Sequence, residues 1–507
     1  MASARDVANR LPITAALVLG SLLVAMDVTI ANVSLPHMQG SFSASQEQTA
    51  WVLTSYIVAT AVMIPMSGWL AARLGFKRVF LVSVGGFIAA SILCGASTSL
   101  LEIVAFRFLQ GLCGAPILPL GQAVMLDLYD RRQIGQVMAV SGMTMLVAPI
   151  AGPVVGGWLT DNLSWRWVFF VNLPVGLVSF AGVWLYLDRG PHIPTRPFDF
   201  LGFGALAVFM VALQLMLDRG STLDWFSSAE IRIEAVCAAI ALWIFAVQTL
   251  AGRHPFLDRA LAIDRNFVAG NIFTAIQGLL LFSTLALQPP LMQGLMGYSV
   301  LGAGLVMAPR GVGSFVAMMA AGRLVNRVDT RLIIFIGLAL IATAMLQMTH
   351  FDLSMDAGPF IVAGIVQGLG LGLLMVPINV LAFATLSPGL RADGAAVLSL
   401  MRNLGQSIGI SLSEAVFINR LAVAHSDLAA QVQPSSPVLR AGLPAAMSPG
   451  TAAGLARLEG EVTRQAAMIG YVDVFRLGLI AAVAIMPLVF VLRPPKQVTT
   501  LVEVAPD

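Results

Sequence analysis

The sequence predicts an all-α integral membrane protein, in which fourteen transmembrane helices form two six-helix bundles with an inserted central pair. Three observations predict it: an apolar composition, fourteen long apolar runs, and a repeat that relates the two halves of the chain. Hydrophobic residues make up 58% of the 507 residues and charged residues 11%, whereas soluble domains carry about 25% charged residues. This composition excludes a soluble enzyme, a nucleic-acid-binding protein and a disordered scaffold.

Each apolar run is long enough to cross a bilayer, because a hydrocarbon core about 30 Å thick needs about 20 apolar residues in a helix. The predicted spans are, approximately, 12–35, 50–72, 79–98, 101–125, 135–160, 166–187, 199–217, 232–251, 266–288, 300–321, 331–349, 358–381, 395–418 and 470–492. The first run follows Arg5 and Arg10 like a signal peptide, but it contains Asp27 and lacks a small-residue cleavage site. We therefore interpret it as a retained first span.

Arginine and lysine residues predict the orientation of the spans, since they are enriched in short cytoplasmic loops. If the chain begins in the cytoplasm, most of its 29 basic residues fall on that side. Both termini are therefore predicted to be cytoplasmic. The long loop on the other side, about 420–469, is rich in Pro, Ser and Ala. It is interpreted either as a flexible linker or as a docking surface for an extracytoplasmic partner.

The second half of the chain repeats features of the first. Gly68–Lys77, after span two, corresponds to Gly322–Arg331, after span ten, and Gln110–Leu112 corresponds to Gln367–Leu369. Parallel halves of this kind face each other across a central path with binding near the midplane; a coincidence of glycine-rich helices is the alternative. The predicted division is an N-terminal bundle at 1–190, an inserted helix pair at 191–262, and a C-terminal bundle at 263–507.

Two charges within the spans predict a proton-coupling pair, because ionisable residues are costly in lipid. Asp27 lies about 13 residues into span one, roughly 20 Å from its cytoplasmic end. Arg107 lies about six residues, or roughly 9 Å, from the outer end of span four. Their depths match, so the two side chains can pair. A neighbouring cation favours the ionised carboxylate, and loss of that neighbour favours protonation. A static structural pair is the alternative.

The remaining charges near the spans have more than one interpretation. Glu414 is a second candidate proton site or a counter-charge for a cationic substrate, unless it extends to the membrane interface. Arg310 is a candidate contact for an anionic or polar substrate, or for a partner carboxylate. Arg402 is expected to reach the cytoplasmic interface. Glu102 and Asp127, at the ends of span four, are expected to be solvated.

No cofactor or metal is expected. The three cysteines lie in apolar runs, the five histidines are scattered, and the P-loop pattern Gly-x-x-x-x-Gly-Lys-Ser/Thr is missing from the sequence. Basic residues form no cluster larger than three, which argues against a nucleic-acid partner. The chain is therefore not expected to be an enzyme, and an ion gradient is its expected energy source.

Several motifs resemble a known family. Met26–Pro36 is similar to Asp-x-Thr-Ile-x-Asn-x-Ala-Leu-Pro, and Arg107–Gly111 is similar to Arg-x-x-Gln-Gly. Ala148–Gly157 resembles the antiporter motif Gly-x-x-x-Gly-Pro-x-x-Gly-Gly, and Trp165–Trp167 and Asn172–Pro174 follow it. The chain resembles the fourteen-helix drug:proton antiporter group of the major facilitator superfamily, which contains the EmrB and QacA multidrug exporters. The resemblance covers nearly the whole chain and implies the major facilitator fold and proton-coupled export.

The resemblance also implies gating residues. In the antiporter motif these are Gly152, Pro153, Gly156 and Gly157, which give a bendable, closely packed helix that seals the path while the bundles rock. Simple helix packing is the alternative.

In the loop after span two, the gating residues are Gly68, Arg73, Gly75 and Lys77. The family has an Asp before the Arg, where this chain has Ala72. The motif carboxylate of the gate is therefore missing, and Asn326 stands at the equivalent place in the second half.

The predicted function is the export of amphipathic small molecules in exchange for protons, across a bacterial inner membrane. Asp27, Arg107 and Glu414 are the predicted coupling residues. The predicted polar substrate contacts are Arg310, Gln110, Asn271, Gln277 and Asn379. Alternatives are a narrow exporter of a metabolite, lipid or siderophore, and a membrane sensor on a transporter scaffold. A periplasmic adaptor protein is a further predicted partner, since EmrB-like exporters often use one.

Overall fold

The computed structural model describes residues 6, 8–188, 197–253, 255–325, 327–432 and 451–491, and nearly all of them are helical. The first half contains α1 Arg10–Phe42, α2 Gln46–Met63, α3 Met66–Leu74, α4 Phe76–Ala96, α5 Leu100–Gly114, α6 Ile117–Leu128, α7 Arg131–Asn162, α8 Trp167–Phe170 and α9 Asn172–Tyr186. The middle contains α10 Phe200–Arg219, α11 Ala229–Ala251 and the short α12 Arg259–Ile263. The second half contains α13 Arg265–Pro290, α14 Val300–Leu324, α15 Thr330–Met348, α16 Ala357–Ala384, α17 Arg391–Gln431 and α18 Ala452–Ile485.

Most of these helices can cross a membrane, and the all-helical membrane class is confirmed. Among the described residues, twelve helices are long and apolar enough to span, and the bent pair α2–α3 makes thirteen. The 32-residue α7 is less apolar and packs against both halves of the protein. The total of fourteen spans stays a prediction.

Local chemistry explains where the helices begin and break. Ser45 and Gln48 form a capping box at the start of α2, and Ser99 caps α5. Pro65 separates α2 from α3, whose axes differ by 57°. Pro116 separates α5 from α6 within the fourth predicted span. Proline lacks the backbone donor that continues a helix, so breaks at these positions are expected.

The two halves pack their helices in the same pattern. In the first half, α1 packs against α7, α2 against α5, and α4 against both α5 and α9. In the second half, α13 packs against α17, α14 against α16, and α15 against both α16 and α18. The structural pattern therefore matches the sequence repeat. The helices α10 and α11 pack mainly on each other, and α10 also contacts α2 and α17. The division at residues 190 and 262 stays a prediction.

The predicted polar loop at 420–469 is wrong over most of its length. The helix α17 continues to Gln431 and α18 already begins at Ala452; residues 433–450 lie outside the described part of the chain. At 1.5 Å per residue, the 41 residues of α17 extend roughly 60 Å, about twice the hydrocarbon thickness. The two helices thus form an antiparallel hairpin that is longer than a membrane crossing requires. Its alanine-rich sequence favours a helix even where it is too polar to be a span.

Candidate functional site

Asp27 lies within α1 with no solvent exposure, at the centre of a polar cluster inside the first bundle. Arg107 of α5 donates a hydrogen bond to Asp27 Oδ2 and forms an ion pair with it. Gln110 Nε2 and Asn172 Nδ2 donate to Asp27 Oδ1 over 2.9 and 2.7 Å. Both carboxylate oxygens therefore accept hydrogen bonds. We call Asp27, Arg107, Gln110 and Asn172 the carboxylate cluster.

Arg107 is fully buried, and groups beyond its carboxylate partner also hold it. Its Nε donates to the Val52 carbonyl oxygen over 3.2 Å, and its Nη1 donates to Gln110 Oε1 over 2.8 Å. The guanidinium carbon lies 4.2 Å from the centroid of the Tyr56 ring and 5.7 Å from that of Phe169. These rings attract the cation through their π faces. Arg107 Nη2 has no hydrogen-bond partner.

The cluster links the charge of Asp27 to that of Arg107. Removing one partner of a buried ion pair leaves the other charge uncompensated, at a cost of about 3–5 kcal/mol. Protonation of Asp27 would leave the charge of Arg107 uncompensated. Arg107 would then be surrounded only by aromatic ring faces and by the carbonyl oxygens of Val52 and the Gln110 amide.

Sequence reasoning placed Asp27 and Arg107 at one depth but assigned Gln110 to the substrate, whereas the structure places Gln110 on the carboxylate. It also missed Asn172 as a site residue. Asn172 Nδ2 also donates to Ser91 Oγ over 3.0 Å, so α4 supports the cluster as well. The detectable signal for Asn172 was a polar amide within an apolar run. No sequence signal distinguished Tyr56.

The antiporter-like motif of α7 packs against α1 directly beside Asp27. A Cβ atom at Gly152 would clash with Thr29 Oγ1, and one at Gly156 would lie 2.7 Å from Ile30 Cγ1. Thr29 Oγ1 also donates to the Ala148 carbonyl oxygen over 3.1 Å. Gly157 is different, because a Cβ atom there would meet nothing within 4 Å. The Pro153 side chain lies outside the described part of the structure.

A second set of contacts joins the two bundles at the N-terminal side of the membrane, which is the side where α1 begins. A Cβ atom at Gly68 of α3 would lie 2.9 Å from the Asp393 Cα at the start of α17. Arg391 Nη1 donates to Asp127 Oδ1 over 2.6 Å and to the Leu126 carbonyl oxygen over 3.1 Å. Asp127 was expected to be solvated; it remains partly exposed, and the start of α17 packs against it.

The other residues of the loop after span two have local roles. Gly75 has φ +85°, which favours glycine. Lys77 Nζ donates to the Trp184 carbonyl oxygen over 2.7 Å, and the Arg73 guanidinium lies 5.1 Å from the centroid of a Trp69 ring. Asn326 lies outside the described residues.

Glu414 lies outside the carboxylate cluster, on the part of α17 that packs against the inserted helix α10. Its neighbours are the Ser221 hydroxyl and the Asp218 carboxylate, and Asp218 accepts a hydrogen bond from Thr54. Glu414 is exposed in the structure. The three predicted coupling residues thus occupy two separate places.

The predicted substrate contacts of the second half are all buried. Arg310 donates a hydrogen bond to Gln288, while its Nε and Nη1 have no partner. Asn271 and Asn379 each donate to a carbonyl oxygen one turn earlier in their own helix, and their Oδ1 atoms have no partner. Gln277 lines a small cavity.

Arg402 lines the same cavity as Gln277. It is only 5% exposed, so the expectation that it reaches the membrane interface is wrong.

Comparison with known proteins identifies related sequences and folds. A family model described as Major Facilitator Superfamily matches residues 17–410. The fatty acid resistance protein FarB of Neisseria gonorrhoeae is 33% identical over 486 residues, which cover 95% of this chain and 96% of FarB. The multidrug export protein EmrB of Haemophilus influenzae is 34% identical over 493 residues, which cover 95% of this chain and 96% of EmrB.

A solved structure shares the fold. The human organic anion transporter MFSD10 (TETRAN) matches with a TM-score of 0.61 and 14% sequence identity, over 94% of this chain and 99% of that one. At this identity the likeness concerns the fold alone.

Proposed function

The chain belongs to the major facilitator superfamily, and we propose that it exports amphipathic small molecules in exchange for protons. The observation that carries the proposal is the carboxylate cluster: a fully buried Asp27 paired with a fully buried Arg107. The FarB and EmrB relatives are named for resistance and export, and they match nearly the whole chain.

The proposed cycle uses the contacts around α1. A proton from the outside binds Asp27, weakens its ion pair with Arg107 and changes which helix arrangement is favoured. The glycines of α7 let α1 and α7 move as one closely packed unit. The contacts of α17 with α3 and α6 then break, which opens the other side for proton release and substrate entry.

The proposed setting is a bacterial inner membrane, with both termini in the cytoplasm. The bacterial relatives support the bacterial setting. The basic residues of the short loops support this orientation. On this orientation the bundles are closed on the cytoplasmic side, and the hairpin of α17 and α18 projects outward. Asp27 and Arg107 are the proposed coupling residues. Glu414, with its neighbour Asp218, is a second proton-accepting position at the outer side.

The projecting hairpin supports a periplasmic adaptor as partner. Its two helices are held together by His425 Nε2 and Glu459 Oε1, which lie 2.8 Å apart, and Arg464 Nε donates to the Leu295 carbonyl oxygen over 3.1 Å. The first contact joins the two helices near their connected ends, and the second anchors α18 to the segment after α13.

A narrower function, the export of one class of amphiphilic metabolite, is the second candidate. The name of the FarB relative, a fatty acid resistance protein, favours it.

The test is proton-driven transport in inverted membrane vesicles, with wild type, Asp27→Asn and the exposed control Asp161→Asn. A panel of lipophilic cations and weak acids serves as substrates. We expect gradient-dependent flux in wild type and Asp161→Asn, and none in Asp27→Asn, because an amide cannot carry the proton. Gradient-driven flux that persists in Asp27→Asn would move coupling to Glu414. Ligand binding by folded protein without flux of any compound would favour a sensor.

A further inference from the structure

The second bundle contains two buried arginines that have no carboxylate partner within the described residues. Arg310 is 4% exposed and Arg402 5%. Arg310 Nε and Nη1 and Arg402 Nη1 make no hydrogen bond. A buried cation is costly unless it is paired and hydrogen-bonded. In the first bundle Arg107 has Asp27, so the unpaired state of these two arginines is a specific property of the second bundle.

A continuous column of side chains connects the two arginines. Arg310 donates to Gln288 of α13, and Gln367 Nε2 of α16 donates to Thr284 Oγ1 of α13 over 3.1 Å. One or two turns further along the same two helices, a small cavity reaches Arg402. It is lined by Gln277, Gly278, Leu281, Phe282, Leu371, Met375, Arg402 and Gln406.

Sequence spacing shows that this column follows one face of each helix. The α13 positions 277, 281, 284 and 288, and the α16 positions 367, 371 and 375, recur every three or four residues. Polar groups stand at both ends of the column and apolar side chains in the middle. The Gln367 Oε1 atom within it also has no hydrogen-bond partner.

We propose that this column binds the headgroup of an amphipathic organic anion, with Arg402 as the first contact and Arg310 as the second. The inference rests on the proposed export function and names its substrate class. A guanidinium group presents donors in a fork that matches a carboxylate. The anion supplies the charge that no described residue supplies, and Leu281, Phe282 and Leu371 contact the start of its apolar tail. A cationic headgroup would be repelled.

The cavity adjoins the moving interface between the bundles. Its wall residue Met375 also lies against Gly142 of α7, where a Cβ atom would be 2.8 Å from the Met375 sulfur. Its volume is about 20 Å³, room for about one water molecule. Movement of α7 away from α16 would therefore widen the cavity. The anion thus binds when the two bundles separate at the contact between Gly142 and Met375.

The test compares three probes with the same ten-carbon tail: decanoate, decanol and decyltrimethylammonium. Binding of radiolabelled decanoate to the purified full-length protein is measured by scintillation proximity at neutral pH, with each unlabelled probe as competitor. We expect decanoate to compete at least tenfold better than the other two. Equal competition by all three would overturn the inference, because binding would then depend on the tail alone.

Variants locate the anion contact. Arg402→Gln and Arg310→Gln should weaken decanoate binding roughly tenfold or more, the range for losing a charge-assisted hydrogen bond. Arg402→Lys should keep most of the affinity, and Arg323→Gln, at the exposed end of α14, should keep all of it. Undiminished decanoate binding in Arg402→Gln, or in a folded Arg310→Gln–Arg402→Gln double variant, would refute the assignment. Thermal unfolding identifies variants that fail to fold. If Arg402→Gln fails to fold, decanoate binding by Arg402→Lys, which keeps the positive charge, tests the site instead.

The proposed function is tested separately by proton-driven efflux, with decanoate and the cation ethidium as the two transported probes. Efflux of ethidium that requires Asp27, together with equal binding of the three probes, would overturn the anion site and keep the exporter. Selective decanoate binding without gradient-driven flux of any probe would support the anion site and overturn the exporter.

Discussion

At the scale of single residues, the molecule separates its buried charges into two kinds. Asp27 and Arg107 form an ion pair, and helices α2, α5 and α9 supply further hydrogen bonds to the two side chains. Arg310 and Arg402 have no such partner among the described residues. A paired charge can store and release a proton, whereas an unpaired cation can receive an anion. The two bundles therefore have different chemistry despite their similar packing.

The first prediction concerns the mutual dependence of Asp27 and Arg107. Arg107→Gln should lower the free energy of unfolding by about 3–5 kcal/mol, because it leaves a buried carboxylate unpaired. The double variant Asp27→Asn–Arg107→Gln should be more stable than Arg107→Gln alone, since no uncompensated charge is left. Unfolding of the purified variants in detergent measures both free energies of unfolding. Simple additivity of the two single effects would show that the pair is not coupled.

The sequence could predict the contact between Asp27 and Arg107 but not its surroundings. Asp27 and Arg107 stand out because charges are rare in apolar runs, and helix rise places them at one depth. Asn172 and Tyr56 are ordinary residues whose role depends on tertiary contacts. Arg402 was assigned to the interface because a long side chain can reach it, and only the packing of α13 and α16 shows that it is enclosed.

At the scale of helices, close packing between α1 and α7 places the antiporter-like motif beside the carboxylate cluster. The motif glycines are not equivalent, because Gly152 and Gly156 face α1 while Gly157 faces open space. The sequence alone could not separate them, since all three belong to the same pattern.

This difference yields the second prediction, with a matched control in the same motif. Gly152→Ala should reduce proton-driven transport at least tenfold, because its methyl group would push α7 away from Thr29. Gly157→Ala should transport like wild type. Vesicle transport at equal expression, together with passive proton leak, measures the effect. Equal activity of the two variants would mean that close packing at Gly152 is not required.

The third prediction concerns the closed side of the protein. Asp127→Asn should weaken the contact of α6 with α17 and expose residues behind it. Ser67 on α3 is fully buried, so a cysteine introduced there by Ser67→Cys, in a variant without the native cysteines, measures this exposure. A membrane-impermeant thiol reagent should label it several-fold faster when Asp127→Asn is added. The charge exchange Asp127→Arg–Arg391→Asp should restore slow labelling; failure to do so would indicate that the ion pair does not hold the gate.

This ion pair places a carboxylate at the start of α17 in a chain that has Ala72 where the family pattern has an Asp. The family pattern places a carboxylate in the loop after span two, and here that position has only a methyl group. Asp127 supplies a carboxylate from α6 to the same helix end, the start of α17. Local sequence reasoning could not pair Asp127 with Arg391, because they belong to different halves and 264 positions separate them.

At the scale of the whole molecule, composition and periodicity predicted most of the fold. The lengths of the apolar runs predicted the helices, and the repeat between the halves predicted the two bundles, since both are visible in the sequence without knowledge of tertiary contacts. The helical hairpin was missed because α17 and α18 continue as amphipathic, alanine-rich helices after their apolar parts end. Hydropathy measures the membrane boundary, not the end of the helix.

The last prediction follows from combining the proton site of one bundle with the anion site of the other. Export of an anion and import of a proton both move positive charge inward, so a potential negative on the cytoplasmic side favours both steps. Each charge gains about 2.3 kcal/mol per 100 mV. In proteoliposomes with a potassium diffusion potential, decanoate export should therefore accelerate more than decanol export at the same pH gradient. Liposomes containing Asp27→Asn provide the control for leak. Equal acceleration of the two probes would mean that decanoate crosses as the neutral acid, and that Arg402 does not bind its carboxylate during transport.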